Sequence, residues 1–220
     1  MDIVWIGGRL IVAGPDTVAF TVWMEAGQAA SGIRMDPGVG PLVLGVPAHR
    51  LRDQVVPLGD VIDSRSAARF EAAVRSGRLD AAGAALAVAN RRESCWRSQD
   101  AVLARTVFKR AADAVPAPVI ARELGWSERT LRRYALEAFG YWVRTVRRVA
   151  RLQRALRLVA SGGVLADSAG RSGYADQAHM TRDFTAMIGV TPGSLQGGRQ
   201  TADSGANRST ALPSGSSKTA

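Results

Sequence analysis

Two stretches of this sequence, SERTLRRYALEAFG (127–140) and DQAHMTRDFTAMIG (176–189), crowd hydrogen-bonding side chains into the opening turns of short helical patterns. The first offers Arg129, Arg132 and Arg133; the second offers Gln177, His179, Thr181 and Arg182. These types suit edge-on recognition of bases. A guanidinium donates two parallel bonds to guanine, an amide pairs with adenine, and threonine presents a hydroxyl or a methyl group. A helix that enters a major groove does so with its first turns, so residues that read base edges belong there. The plain alternative is a solvated helix face, and for one stretch taken alone the two readings weigh equally.

The elements that must position these side chains are written around them. Ser127 can cap the first helix by accepting from a free N–H of its opening turn. Leu131 then faces a core, helped by Tyr134 and Leu136, while the three arginines cannot all be buried. Asp176 sits at or beside the second N-cap, where its charge also suits the helix dipole. Met180, Phe184 and Met187 recur at helical spacing and form a buried stripe, with Gln177, His179 and Thr181 largely off it. Gly189 ends that helix, and Thr191–Pro192 starts another.

The two stretches belong to a longer repeat. VIARELGWSERTLRRYALEAFG (119–140) and DSAGRSGYADQAHMTRDFTAMIG (167–189) both run short helix, glycine turn, aromatic, polar residues, helix, glycine. Ala121 and Gly125 match Ala169 and Gly173 at an offset of 48; Leu131, Arg133 and Gly140 match Met180, Arg182 and Gly189 at 49. The second copy therefore carries one extra residue in its turn. Helix, glycine turn, helix is a helix-turn-helix pattern, and two copies argue against coincidence. Between them, Val146, Val149, Leu152, Leu156 and Val159 make an apolar stripe, so 141–162 is predicted as one long helix joining the units. Arg147, Arg151 and Arg154 form a second stripe, either phosphate contacts or a solvated face.

The bulk composition assigns the polyanion to the same region. The 220 residues carry a formal net charge of +10, with a pI of about 11.1. Residues 1–100 hold eleven basic and eleven acidic side chains, which cancel; residues 101–196 hold fifteen basic against seven acidic. Such a contrast between halves points to nucleic acid or an anionic membrane surface as the partner of the second half. One cysteine, Cys95, excludes an internal disulfide and fits a reducing cytoplasm. No apolar run approaches the roughly 18 residues of a membrane span, and Asp2 follows Met1 with no basic region ahead of the apolar residues. Residues 1–62 are predicted as β-rich: Ile3–Ile6 and Leu10–Ala13 flank Gly7–Gly8 as a hairpin, and Val18–Met24 is a third apolar run. Residues 65–93 turn helical, with Phe70, Val74, Leu79, Leu86 and Val88 as the apolar positions. Gly197–Ala220 lacks large apolar residues and is expected to be disordered.

GYADQAHMTRDFTAMIGVTPGSL (173–195) resembles the signature of AraC-type transcriptional regulators: glycine, aromatic, D-Q-A-H, R-x-F and G-x-T-P stand in order. The resemblance covers about 101–196. It implies two helix-turn-helix units joined by a long helix, with both recognition helices (about 127–138 and 176–188) entering successive major-groove segments. It carries base contact to Arg129, Arg132 and Arg133 in the first unit, and to Gln177, His179, Thr181 and Arg182 in the second. Ser127, Arg147 and Arg151 are the candidate phosphate contacts. Ala135 departs from the family, which usually has an aromatic there; Tyr134 stands beside it to compensate. GPDTVAF and GIRMDPGVGPLVLGVPAHRLRDQVVPLGDV are similar to a sensing domain often fused to such units, a β-rich, cupin-like fold of which MDIVW resembles an internal point. The expected fold class is thus α+β: a β-rich, partial cupin-like half followed by an all-α double helix-turn-helix domain. The expected domains are 1–98, 101–196 and the tail 197–220.

Catalytic constellations are sparse. His49 and His179 are the only histidines, too few for a cupin metal site, and no G-x-S-x-G accompanies His49. Cys95 beside Trp96 invites comparison with alkyl-accepting repair proteins, but their Pro-Cys-His-Arg centre and four-cysteine zinc site are both missing. The expectation is a cytoplasmic, non-enzymatic regulator with no cofactor or metal, acting on double-stranded DNA. RNA polymerase, a small-molecule effector at the N-terminal half and a second copy of the chain are the further partners this reading admits. The alternatives are a DNA-repair or other enzyme delivered by the same module, and a general packaging protein. Packaging predicts scattered lysines and arginines, whereas this chain has two matched helices and only two lysines.

Overall fold

A computed structural model of the chain describes residues 1–17, 28–90 and 98–200. The run Val18–Met24, Cys95 and most of the tail lie outside those residues. The N-terminal half opens with the predicted hairpin. β1 (Asp2–Ile6) pairs antiparallel with β2 (Arg9–Ala13), and Ile6 faces Arg9 across a two-residue loop in which Gly7 and Gly8 have φ of 57° and 79°. Positive φ at both loop residues gives a turn whose twist matches the strands. β3 (Ser31–Arg34) adds to β1 and β4 (Val55–Pro57) to β2, for the order β3-β1-β2-β4.

Among the described residues these four strands form a small antiparallel sheet. The β-rich expectation overreaches after residue 34. Val39–Leu44 is a short helix, α1, and Ala48–Leu51 and Leu58–Asp60 are 3₁₀ turns. The apolar content of VGPLVL suggests a strand, yet Pro41 cannot donate to a ladder and is tolerated in a first helical turn. Ile3, Trp5, Leu10 and Val12 share one face of the hairpin. They pack with Val43, Leu44, Leu51 and Leu58 and with α2 (Ser64–Arg75) and α3 (Ala81–Asn90), two helices within the stretch expected to turn helical over 65–93. Leu86, one of the apolar positions of that pattern, is 62% exposed.

The C-terminal half is helical throughout: α4 (Ser98–Ala112), α5 (Ala117–Glu123), α6 (Glu128–Phe139), α7 (Val143–Ala160), α8 (Leu165–Ser172), α9 (Gln177–Ile188) and α10 (Pro192–Gln200). Two separate apolar clusters form. One joins α4, α5 and α6 to the start of α7; the other joins α8 and α9 to its end. The last helix runs to Gln200, past the expected boundary at 196.

Close approach of backbone constrains the N-terminal half most at Gly14, where a Cβ would lie 1.6 Å from the Leu51 carbonyl oxygen. Gly14→Ala should therefore lower the free energy of unfolding by about 1–3 kcal/mol in chemical denaturation. Gly170→Ala, with open space around its position in α8, should be neutral or stabilising by up to about 1 kcal/mol. Equal effects would show that the tight contact is not a constraint.

Candidate nucleic-acid interface

The repeat seen in the sequence is a repeat in space. After α5, Gly125 turns the chain at φ 67° and the Trp126 N–H donates to the Ala121 carbonyl at 2.8 Å. After α8, Gly173 does the same at φ 85° and the Tyr174 N–H donates to Ala169 at 3.0 Å. A left-handed residue followed by this back-bond satisfies carbonyls a helix end leaves open, and glycine adopts it without a Cβ penalty. The next helix begins on a side-chain cap in both units. The Thr130 N–H donates to the Ser127 hydroxyl at 3.1 Å, and the His179 N–H donates to the Asp176 carboxylate at 2.6 Å. Ala175 is the extra residue, inserted between aromatic and cap. Both following helices have 12 residues and end on a left-handed glycine, Gly140 and Gly189.

Each helix divides into a buried and an open face. On α6, Leu131, Ala135 and Phe139 are buried, and Arg129, Arg132 and Arg133 are exposed. Tyr134 is half-buried and packs on Trp126 and Phe139, with ring centroids 5.2 and 6.2 Å apart. On α9, Met180, Phe184 and Met187 are buried as their spacing predicted. Gln177 and Arg182 are exposed; His179 and Thr181 are half-buried. The His179 ring stands edge-on to Tyr174 at 5.1 Å, so it rests on the turn as well as facing outward. The Ser127 hydroxyl also shares a hydrogen bond with the Thr130 hydroxyl at 2.9 Å.

One residue on the buried stripe of α9 is charged. Asp183 is 7% exposed. It accepts from Arg148 Nε at 2.7 Å, from Arg151 at 3.0 Å and from the Tyr174 hydroxyl at 3.1 Å. The Arg151 guanidinium also lies 4.3 Å from the centre of the Tyr174 ring. Burial opposes ionisation of Asp183, but the bonds from Arg148, Arg151 and Tyr174 outweigh it and hold the carboxyl below its usual range. Burial, aided by the Asp183 charge, pushes the Tyr174 hydroxyl up to about 12, so it stays a donor. The network ties the second helix-turn-helix unit to α7.

Arg151, expected as a phosphate contact, has its guanidinium bonded to the Asp183 carboxylate and stacked on the Tyr174 ring. Arg147, in the same stripe, is exposed. Sequence reasoning missed Asp183, Tyr174 and Arg148 as a unit. The signal was an acid at 183 lying between Met180 and Met187 on an otherwise apolar stripe, where an unpaired charge would be costly.

Among the described residues, no group of three or more His, Cys, Asp or Glu could hold a metal ion. No helix among them is long and apolar enough to cross a membrane. Residues 120–197 match a protein-family model described as a helix-turn-helix domain, a span that reaches from α5 through both units into α10. No curated protein matches the chain.

Because folding lowers the Asp183 pKa, the ionised carboxylate contributes stability that is complete above the usual aspartate value of about 3.9 and is lost as the pH falls through its lower folded value. Asp183→Asn should cost about 2 kcal/mol at neutral pH, and the gap to the native chain should narrow in acid. A gap that stays constant from neutral pH down to about pH 2 would contradict the role given to the carboxylate.

Proposed function

We propose, on the premise that residues 120–197 are an AraC-type helix-turn-helix DNA-binding domain, that this chain is a sequence-specific transcription regulator reading duplex DNA with α6 and α9 in successive major-groove segments. One observation carries the reading: two capped helices of equal length, at an offset of 49, each presenting polar side chains from its first turns, packed against opposite ends of α7. The 18 residues of α7 correspond to about 27 Å of helix, of the same order as the groove repeat of about 34 Å. The excess of basic side chains over 101–196 supplies the attraction to phosphate that any such protein needs.

Base contact falls to Arg129, Arg132 and Arg133 on α6, and to Gln177, His179, Thr181 and Arg182 on α9. Arg147 and the Ser127 hydroxyl are the phosphate contacts, while Arg151 is bonded to Asp183. The reading assigns the chain no catalysis and places it in the cytoplasm, where its DNA would be. A small-molecule effector, RNA polymerase and a second copy of the chain remain partners the proposal admits for the N-terminal half and the regulator as a whole.

Sequencing of duplex fragments selected by the purified chain would define its site. On that site, Arg182→Ala should cost about 1–3 kcal/mol and relax preference at one base position. Arg147→Ala should weaken selected and random duplex alike and lower the slope of log affinity against log salt by about one. If Arg182→Ala loses the same factor on selected and random DNA, the assignment of α9 as a base reader at that position is wrong.

A further inference from the structure

The two recognition helices are not held alike at their far ends. Gly140 and Gly189 occupy equivalent left-handed positions, but a Cβ at Gly189 would meet nothing within 4 Å, whereas one at Gly140 would lie 2.5 Å from the Pro15 ring. The contact at Gly140 comes from the N-terminal half. The adjacent Tyr141 donates its hydroxyl to the Asp16 carbonyl at 3.0 Å, and the Arg52 guanidinium donates to the Gly140 carbonyl at 3.4 Å. Gly38 makes a second close approach: a Cβ there would lie 2.5 Å from the Ala104 Cβ and 3.1 Å from the Phe139 ring. The Arg105–Asp36 pair at 2.9 Å joins the same surfaces but is exposed on both sides and adds little.

The two loops that make this contact are tied to each other. The Gly14 N–H donates to the Gln54 carbonyl at 2.9 Å, and the Asp53 N–H to the Pro15 carbonyl at 3.2 Å. Asp53 has φ 56°, an unusual conformation for a residue with a side chain. It is held there while its carboxylate accepts from both the N–H and the hydroxyl of Thr17, at 2.7 and 2.8 Å. Residues 14–17 and 51–54 thus form one saddle under the corner between α6 and α7.

We propose that this saddle is a positioning element for the first recognition helix, with Tyr141 and Arg52 as its positioning residues. The N-terminal half is then part of the DNA-reading apparatus, fixing the angle of α6 against α7. The inference rests on the DNA-reading function proposed above and adds an asymmetry to it: the first unit depends on the N-terminal half, the second on the Asp183 network. The saddle grips the C-terminal end of α6 and leaves Arg129, Arg132 and Arg133 exposed. Over 12 residues, or about 18 Å of helix, a tilt of about 5° at the corner moves the reading turn by about 1.5 Å. A displacement of that size is enough to spoil paired hydrogen bonds to a base edge.

The test uses the full chain carrying Tyr141→Phe, Arg52→Ala or both. Each half-site is assigned by which of Arg129→Ala and Arg182→Ala relaxes its base preference. Affinities are then measured for duplexes that retain only one intact half-site, with melting temperature as the check on folding. Tyr141→Phe keeps the ring, so the packing survives even where Arg52→Ala proves disruptive. Each variant should lose roughly three- to tenfold on the duplex retaining the α6 half-site, with no change on the duplex retaining the α9 half-site. Equal losses on both duplexes, or no loss in the doubly substituted chain, would overturn the proposal. A native chain that fails to prefer its selected site over random duplex would overturn the DNA-reading premise, and the proposal with it.

Discussion

Six arginines share α7 with the apolar residues that bury it, and the helix is stable because both of its ends are covered by different cores. Val143 and Val146 enter the cluster of the first unit; Leu152, Ala155 and Val159 enter that of the second. Without those clusters, like charges three and four residues apart would oppose the helix. With them, neither unit can shift along α7 without exposing apolar surface to water. Asp183 reinforces the second attachment, because its carboxylate takes up the charge of Arg148 and Arg151 on the face that α9 covers.

The two units solve one packing problem with different chemistry. The aromatic after the turn glycine, Trp126 or Tyr174, meets the seventh residue of the helix that follows. In the first unit that residue is Tyr134, and the contact is ring on ring; in the second it is Asp183, and the contact is a hydrogen bond. The neighbouring position carries Ala135 in one and Phe184 in the other, both fully buried. Tyr134, Trp126, Phe139 and Phe108 belong to the same apolar cluster as Ala135. Burial at the two equivalent positions is kept, while residue identity is not.

Local chemistry made much of this legible in the sequence. The glycine pair of the first hairpin, the caps at Ser127 and Asp176, and the stripe of Met180, Phe184 and Met187 each depend on neighbours within a few residues. Their positions agree with the structure because propensity, capping and burial point the same way there. What escaped depends on distance in the chain. Tyr141 meets Asp16 across 125 residues, and Arg52 meets Gly140 across 88, so no periodicity announces either contact. The pairing of Arg151 with Asp183 escaped too, because an arginine stripe reads the same whether it faces phosphate or a carboxylate on another helix. The β-rich expectation failed at Val39–Leu44, where apolar content alone does not separate a strand from a short buried helix.

If α6 and α9 both read DNA, α7 sets the distance between them, and spacing of the DNA tests that most directly. Affinity would be measured for the selected duplex and for duplexes lengthened between the half-sites by about five and about ten base pairs, half a helical turn and a whole one. A rigid α7 predicts that both insertions reduce binding to the level of a single half-site. The longer insertion fails despite restoring the facing, because the fixed helix cannot span the added length. Binding that recovers with the whole-turn insertion would contradict a fixed separation, and binding indifferent to both would contradict reading by two helices at once.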